Sequence, residues 1–181
     1  WRVIEDHLEH IPTGTRIRAV NVDYRGEAGA NPSLTIFTEA WGFDTEKQLK
    51  LYDEMTPVLT RYRSQRIVES YAGYTGKSVV LEKVWNLATS GRRLTIEDIP
   101  DWPWPDEQDL PFYVNDAAGL FAYIDQGPIA RTRMPWTQGP DADRYYTEQA
   151  LTLTSEQFDR LHFNYWVSPT SVFLPIEWWR Q

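Results

Sequence analysis

The sequence predicts an α+β fold, a single domain over residues 1–181 with a mostly antiparallel sheet and two or three helices. Three observations lead there. Runs rich in β-branched and aromatic residues outnumber helix-spaced ones, and the helices interrupt those runs without regular alternation. A chain of 181 residues with 41% apolar and 24% charged side chains also suits one globular core.

Ile4, Leu8 and Ile11 recur at spacings of four and three, which predicts a short amphipathic helix over residues 2–11, stopped by Pro12. TRIRAVNVDY (15–24) and LTIF (34–37) read as two strands joined by the turn-rich GEAGANPS. A helix follows Phe43, with Asp44 as cap and Leu51, Tyr52, Met55, Leu59 and Tyr62 at helical spacing. Pro57 either kinks it or ends it near Met55, with Thr56 capping a new helix. QRIVESYAG and KSVVLEKVW flank the turn GYTGKS as a hairpin, although the second run fits a helix equally well. FYVND and LFAYIDQ, around Ala117, Ala118 and Gly119, form the clearest hairpin.

RYYTEQALTLT reads as a strand leading into a helix at TSEQFDRLHFNYW. There Thr154 and Gln157 have capping-box spacing, and Phe158, Leu161, Tyr165 and Trp166 form the buried stripe. SVFLPIEWWRQ closes the chain as a last strand. FTEAWGFDTEKQ (37–48) echoes YTEQALTLTSEQ (146–157), each a polar strand entering a capped helix, a likeness that local physics produces without duplication.

The net charge of −8 gives the chain no electrostatic reason to seek nucleic acid or an anionic membrane, so neither is expected as a partner. The longest apolar run, Leu120 to Ile124, is far too short to cross a bilayer. The lack of cysteine excludes disulfides, thiolate metal sites and Cys nucleophiles but fits any compartment, so localisation stays open with the cytoplasm as the default. The chain begins at Trp1 rather than Met and so reads as a trimmed or processed product or part of something longer; the missing signal peptide carries no information.

The charge is uneven. Residues 1–100 hold 13 basic and 14 acidic side chains, whereas 101–181 hold 5 and 12. From Leu94 to Ala130 there is no Lys, Arg or His, yet Glu97, Asp98, Asp101, Asp106, Glu107, Asp109, Asp116 and Asp125 all fall there. Such a block projects as a solvated surface or meets a cationic partner. Within it, IPDWPWPDEQDLP carries Trp102 and Trp104 among four prolines, which predicts an extended, semi-rigid segment. Asp101, Trp102, Trp104, Asp106, Glu107 and Asp109 are therefore the candidate binding residues, aromatic anchors with an acidic rim. The competing reading has both tryptophans tuck back and staple a loop.

Other chemistry is weaker. GYTGKS has some letters of a phosphate-binding loop, but five residues before Gly76 stands Tyr71 rather than glycine, so Lys77 is not taken as a nucleotide site and a polar hairpin turn is expected. His7 and His10, three apart on the expected helix beside Asp6 and Glu9, lack a recognised metal-site spacing, and a solvated acidic face accounts for them. No Ser–His–Asp or G-x-S-x-G pattern stands in the chain. Glu39 and Glu148, both expected on strands, are placed for paired-carboxylate sugar chemistry, though nothing singles them out.

The reading preferred from these features is a non-catalytic protein-binding domain without cofactors, of the inhibitor or immunity kind that covers a basic surface on a toxin or nuclease. The alternatives are a carbohydrate-binding or glycan-processing domain, in which Trp and Tyr stack on sugars, and a small enzyme with an unfamiliar carboxylate site.

Overall fold

The computed structural model describes residues 1–21, 30–58, 60–61, 63–103 and 109–169. The protein is α+β, with eight strands in three small sheets and five α-helices among the described residues. By contacts it divides into two compact units, residues 1–36 with 45–67 and residues 37–44 with 68–181.

The first unit opens with β1 (Arg2–Ile4), β2 (His7–His10) and β3 (Thr15–Arg18), an antiparallel meander. The helix expected over residues 2–11 is thus two strands joined at Glu5–Asp6, since Ile4 pairs with His7. A helix that short is marginal on its own, whereas the meander aligns Arg2, Glu9 and Arg16 across three strands, with Glu9 forming ion pairs to both arginines. The Arg2 hydrogen bond holds the Glu9 carboxyl below its ordinary range. His7 and His10 therefore lie on opposite faces of a strand: His7 Nδ1 meets Asp6 at 2.6 Å and His10 Nδ1 meets Thr13 at 2.8 Å.

β4 (Leu34–Thr38) pairs with β5 (Gln65–Glu69), and between them lies α1 (Glu46–Glu54). The cap of α1 is Thr45 rather than Asp44, in a full capping box with Gln48. The helix ends with Met55 as its C-cap, before Pro57, and no new helix starts at Thr56. Leu51, Tyr52 and Met55 are buried, and the Arg66 guanidinium lies 4.1 Å from the Tyr52 ring centre while bonding the Tyr52 carbonyl.

The second unit holds α2 (Val79–Thr89) and an antiparallel sheet of β6 (Arg92–Thr95), β7 (Asp109–Asn115) and β8 (Leu120–Tyr123). The hairpin alternative for KSVVLEKVW gives way to the helix. The predicted hairpin around residues 116–119 is present, with Gly119 in the left-handed region and Asn115 accepting from the Ala118 amide. Pro111 lies within central β7 where the register with β6 shifts, and Arg93 bonds the Leu110 carbonyl there at 2.8 Å.

α3 (Pro128–Thr132) leads to α4 (Pro140–Thr152) and α5 (Ser155–His162). RYYTEQALTLT is therefore helix, not strand: Pro140 opens α4, and Asp141 and Asp143 complement its first turn. The capping box at Thr154 and Gln157 is present, so the echo between residues 37–48 and 146–157 resides in the two caps, not in what precedes them. The predicted final strand, from Ser171 onward, lies outside the described residues.

His162, at the end of α5, meets the rings of Tyr145, Tyr146 and Phe158 at centroid distances of 5.8, 5.3 and 4.8 Å. Burial and the nearby Arg131 charge hold its imidazole below the ordinary value of 6.5. The folded ring resists the proton that the unfolded chain accepts, so its stabilisation is complete above the ordinary value and is lost as pH falls through the folded one. Melting temperatures of the wild type and His162→Gln should therefore diverge as pH falls from about 7.5 to about 5, the wild type losing more. Parallel curves would show that His162 does not contribute.

Candidate functional site

Three of the six predicted binding residues are described. Asp101 is exposed, and Asp109 opens β7 with its carboxylate 3.6 Å from Arg93. Trp102 is half-buried and meets Phe112 edge to face at 5.3 Å. Trp104, Asp106 and Glu107 lie outside the described residues. The start of the segment turns rather than extends, because the Trp102 amide donates to the Ile99 carbonyl with Pro100 at the second position.

Trp102 belongs to a larger aromatic face. Phe112 stacks on Phe121 at 5.6 Å and lies 5.2 Å from Tyr123, its partner across the β7–β8 ladder. α2 packs against β7 and β8, and Asn115 donates to the Leu87 carbonyl of α2 from the opposite side of the pleat, leaving Phe121 64% and Tyr123 53% exposed. The sequence marked these two only as hairpin residues. Their pairing with Phe112 is a register effect that emerges once β7 and β8 are aligned.

The fold also sorts the acidic block. Asp98 accepts from the Thr95 amide and is tied to Arg92 at 2.8 Å, and these bonds hold its carboxyl below the usual range. Asp125 is buried, in an ion pair with Arg133 and accepting from the Tyr123 hydroxyl at 2.7 Å, so it does not contribute to the surface charge. Glu97, Asp101 and Asp116 have no ion-pair partner among the described residues.

The GYTGKS loop connects β5 to α2, so the expected hairpin turn is a strand-to-helix loop. Five of its six amides are already engaged: Thr75 donates to Val167, Gly76 to the Glu82 carboxylate at 3.0 Å, Lys77 and Ser78 to the Tyr74 carbonyl, and Tyr74 to Ser78 Oγ. A phosphate cradle needs such amides free, and here a carboxylate occupies one of them. Instead Lys77 lines a cavity of about 520 Å³ with Trp41, Asp44, Tyr74, Glu156 and Gln157. This grouping was invisible in the sequence, because its members come from three distant stretches.

The remaining chemical candidates separate. Glu39 follows β4 at φ 54° and accepts from the Trp41 indole N–H at 2.5 Å. Glu148 lies on α4, exposed and near Arg144, rather than on a strand. Among the described residues no group of three His, Asp or Glu side chains is placed to hold a metal, and no helix is long and apolar enough to cross a membrane.

A Cβ on Gly73 would collide with the Ser78 side chain and lie 3.1 Å from Trp166. Gly73→Ala should therefore cost about 1–3 kcal/mol by overpacking, while Lys77→Ala, at an exposed position, should change stability by less than about 0.5 kcal/mol. Urea unfolding of the two variants checks this, and an unaffected Gly73→Ala would contradict the packing of the loop. Compared with known protein families, curated proteins and solved structures, the chain matches none.

Proposed function

We propose that this chain is a non-catalytic protein-binding domain that covers a basic surface on its partner, in the manner of an inhibitor or immunity protein acting on a toxin or nuclease. The observation that supports the reading is the aromatic face of the β6–β7–β8 sheet, with Phe121 and Tyr123 exposed and Trp102 and Phe112 half-buried, beside acids that have no ion-pair partner among the described residues. Large rigid rings supply anchoring area at small entropic cost. Asp101 precedes Trp102 and Asp116 follows β7, so carboxylates flank that face along the chain. The two bases of β6 do not cancel them, since Arg92 is engaged by Asp98 and Arg93 by Asp109 and the Leu110 carbonyl. A basic partner would gain steering from the charge and residence time from the rings.

The test uses a partner captured from the native organism and then purified. Neutralising Glu97, Asp101 and Asp116 together should slow association and flatten its salt dependence. Phe121→Ala should instead speed dissociation by roughly 30-fold, about 2 kcal/mol, with the melting temperature unchanged because the ring is already exposed. A partner indifferent to both changes would rule out this surface.

A further inference from the structure

We infer that the cavity beside the GYTGKS loop binds the ring of a neutral sugar, independently of any protein partner on the sheet face. Its wall is an aromatic corner, Trp41 and Tyr74 with centroids 6.1 Å apart at 66°. The corner is rigid. The Trp41 indole N–H is held by Glu39, its backbone amide donates to Ser70 Oγ at 2.9 Å, and Tyr74 is fixed by the loop's own hydrogen bonds. Arg160, only 8% exposed, places its guanidinium 4.5 Å from the Trp41 ring centre and 4.9 Å from that of Tyr74, while bonding the Ala72 carbonyl. Such a prearranged platform loses little entropy when a ligand settles on it.

The charges select the ligand class. An anion entering the cavity would meet the carboxylates of Asp44 and Glu156, and the loop amides that would stabilise it are engaged elsewhere. A cation would be drawn by Asp44 and Glu156 but repelled by Lys77, and the two rings that would otherwise hold it already carry the Arg160 charge. A neutral ring avoids both conflicts. The C–H face of a pyranose is weakly positive and lies well on an aromatic face, and its hydroxyls are matched by the acceptors Asp44 and Glu156 and by the donors Lys77 and Gln157 Nε2, the Gln157 Oε1 being held by the Thr154 amide. A cavity of about 520 Å³ holds one or two sugar rings.

The experiment is an NMR titration of the ¹⁵N-labelled protein, following the Trp41 indole N–H and the Lys77 amide. The probes are the methyl glycosides of glucose, galactose, mannose and N-acetylglucosamine, with inorganic phosphate and tetramethylammonium as charged controls. At least one glycoside should move both signals saturably in the millimolar range, and neither control should do so. Lys77→Ala and Asp44→Asn should each weaken that binding about tenfold at an unchanged melting temperature. Three results would overturn the inference: no saturable shift with any glycoside, saturation by phosphate or tetramethylammonium at these signals, or variants that bind as tightly as the wild type. The sheet face takes no part in this titration, so failure here leaves the partner reading standing.

Discussion

Asn164 sits at φ 55° just beyond α5 and uses both ends of its side-chain amide on two distant stretches of backbone. Its Oδ1 accepts from the Ala72 amide at 2.5 Å, and its Nδ2 donates to the Asp125 carbonyl at 2.9 Å. Asparagine tolerates the left-handed region better than most residues, so one side chain turns the backbone and fastens it. The neighbouring backbone follows: Gln126 donates to the Asn164 carbonyl, Gly127 to Phe163, and Thr75 to Val167. Ala72 is almost wholly buried, so its amide would otherwise be desolvated without a partner, at about 1–3 kcal/mol.

Both candidate surfaces depend on this joint. On one side, residues 72–75 and the parallel bridge between Tyr74 and Val167 set one wall of the cavity, and Arg160 reaches the same stretch through the Ala72 carbonyl. On the other, Asp125 lies two residues past β8, the strand that presents Phe121 and Tyr123, and its buried pair with Arg133 fixes that end. Removing Arg133 would leave the buried Asp125 carboxylate without its ion pair, which makes the pair a constraint on shape more than a source of net stability.

What the sequence made legible was local. The Thr154–Gln157 capping box and the turn at residues 116–119 are set by neighbours along the chain, and both are present. Residues 2–11 misled because a spacing of four and three over ten residues also arises when two strands fold about a two-residue turn; only the third strand, with its arginine opposite Glu9, decides between them. At residues 144–154 the β-branched and aromatic content outweighed a start signal that was present, Gly139–Pro140 with two aspartates behind it. The acidic block was legible as composition but not as surface charge, since Asp125 is buried with Arg133 and Asp98 caps its own turn. Trp41, Tyr74, Lys77 and Arg160 come together only in three dimensions, and no spacing rule reaches across such separations.

The most direct measurement of the joint is native-state hydrogen exchange on the wild type and Asn164→Gly, a change that keeps the left-handed backbone open and deletes only the side-chain bonds. The amides of Ala72, Thr75, Gly127 and Val167 should lose protection together in the variant. Loss of protection confined to Ala72, with the other three exchanging as in the wild type, would contradict the claim that this one side chain holds both surfaces in place.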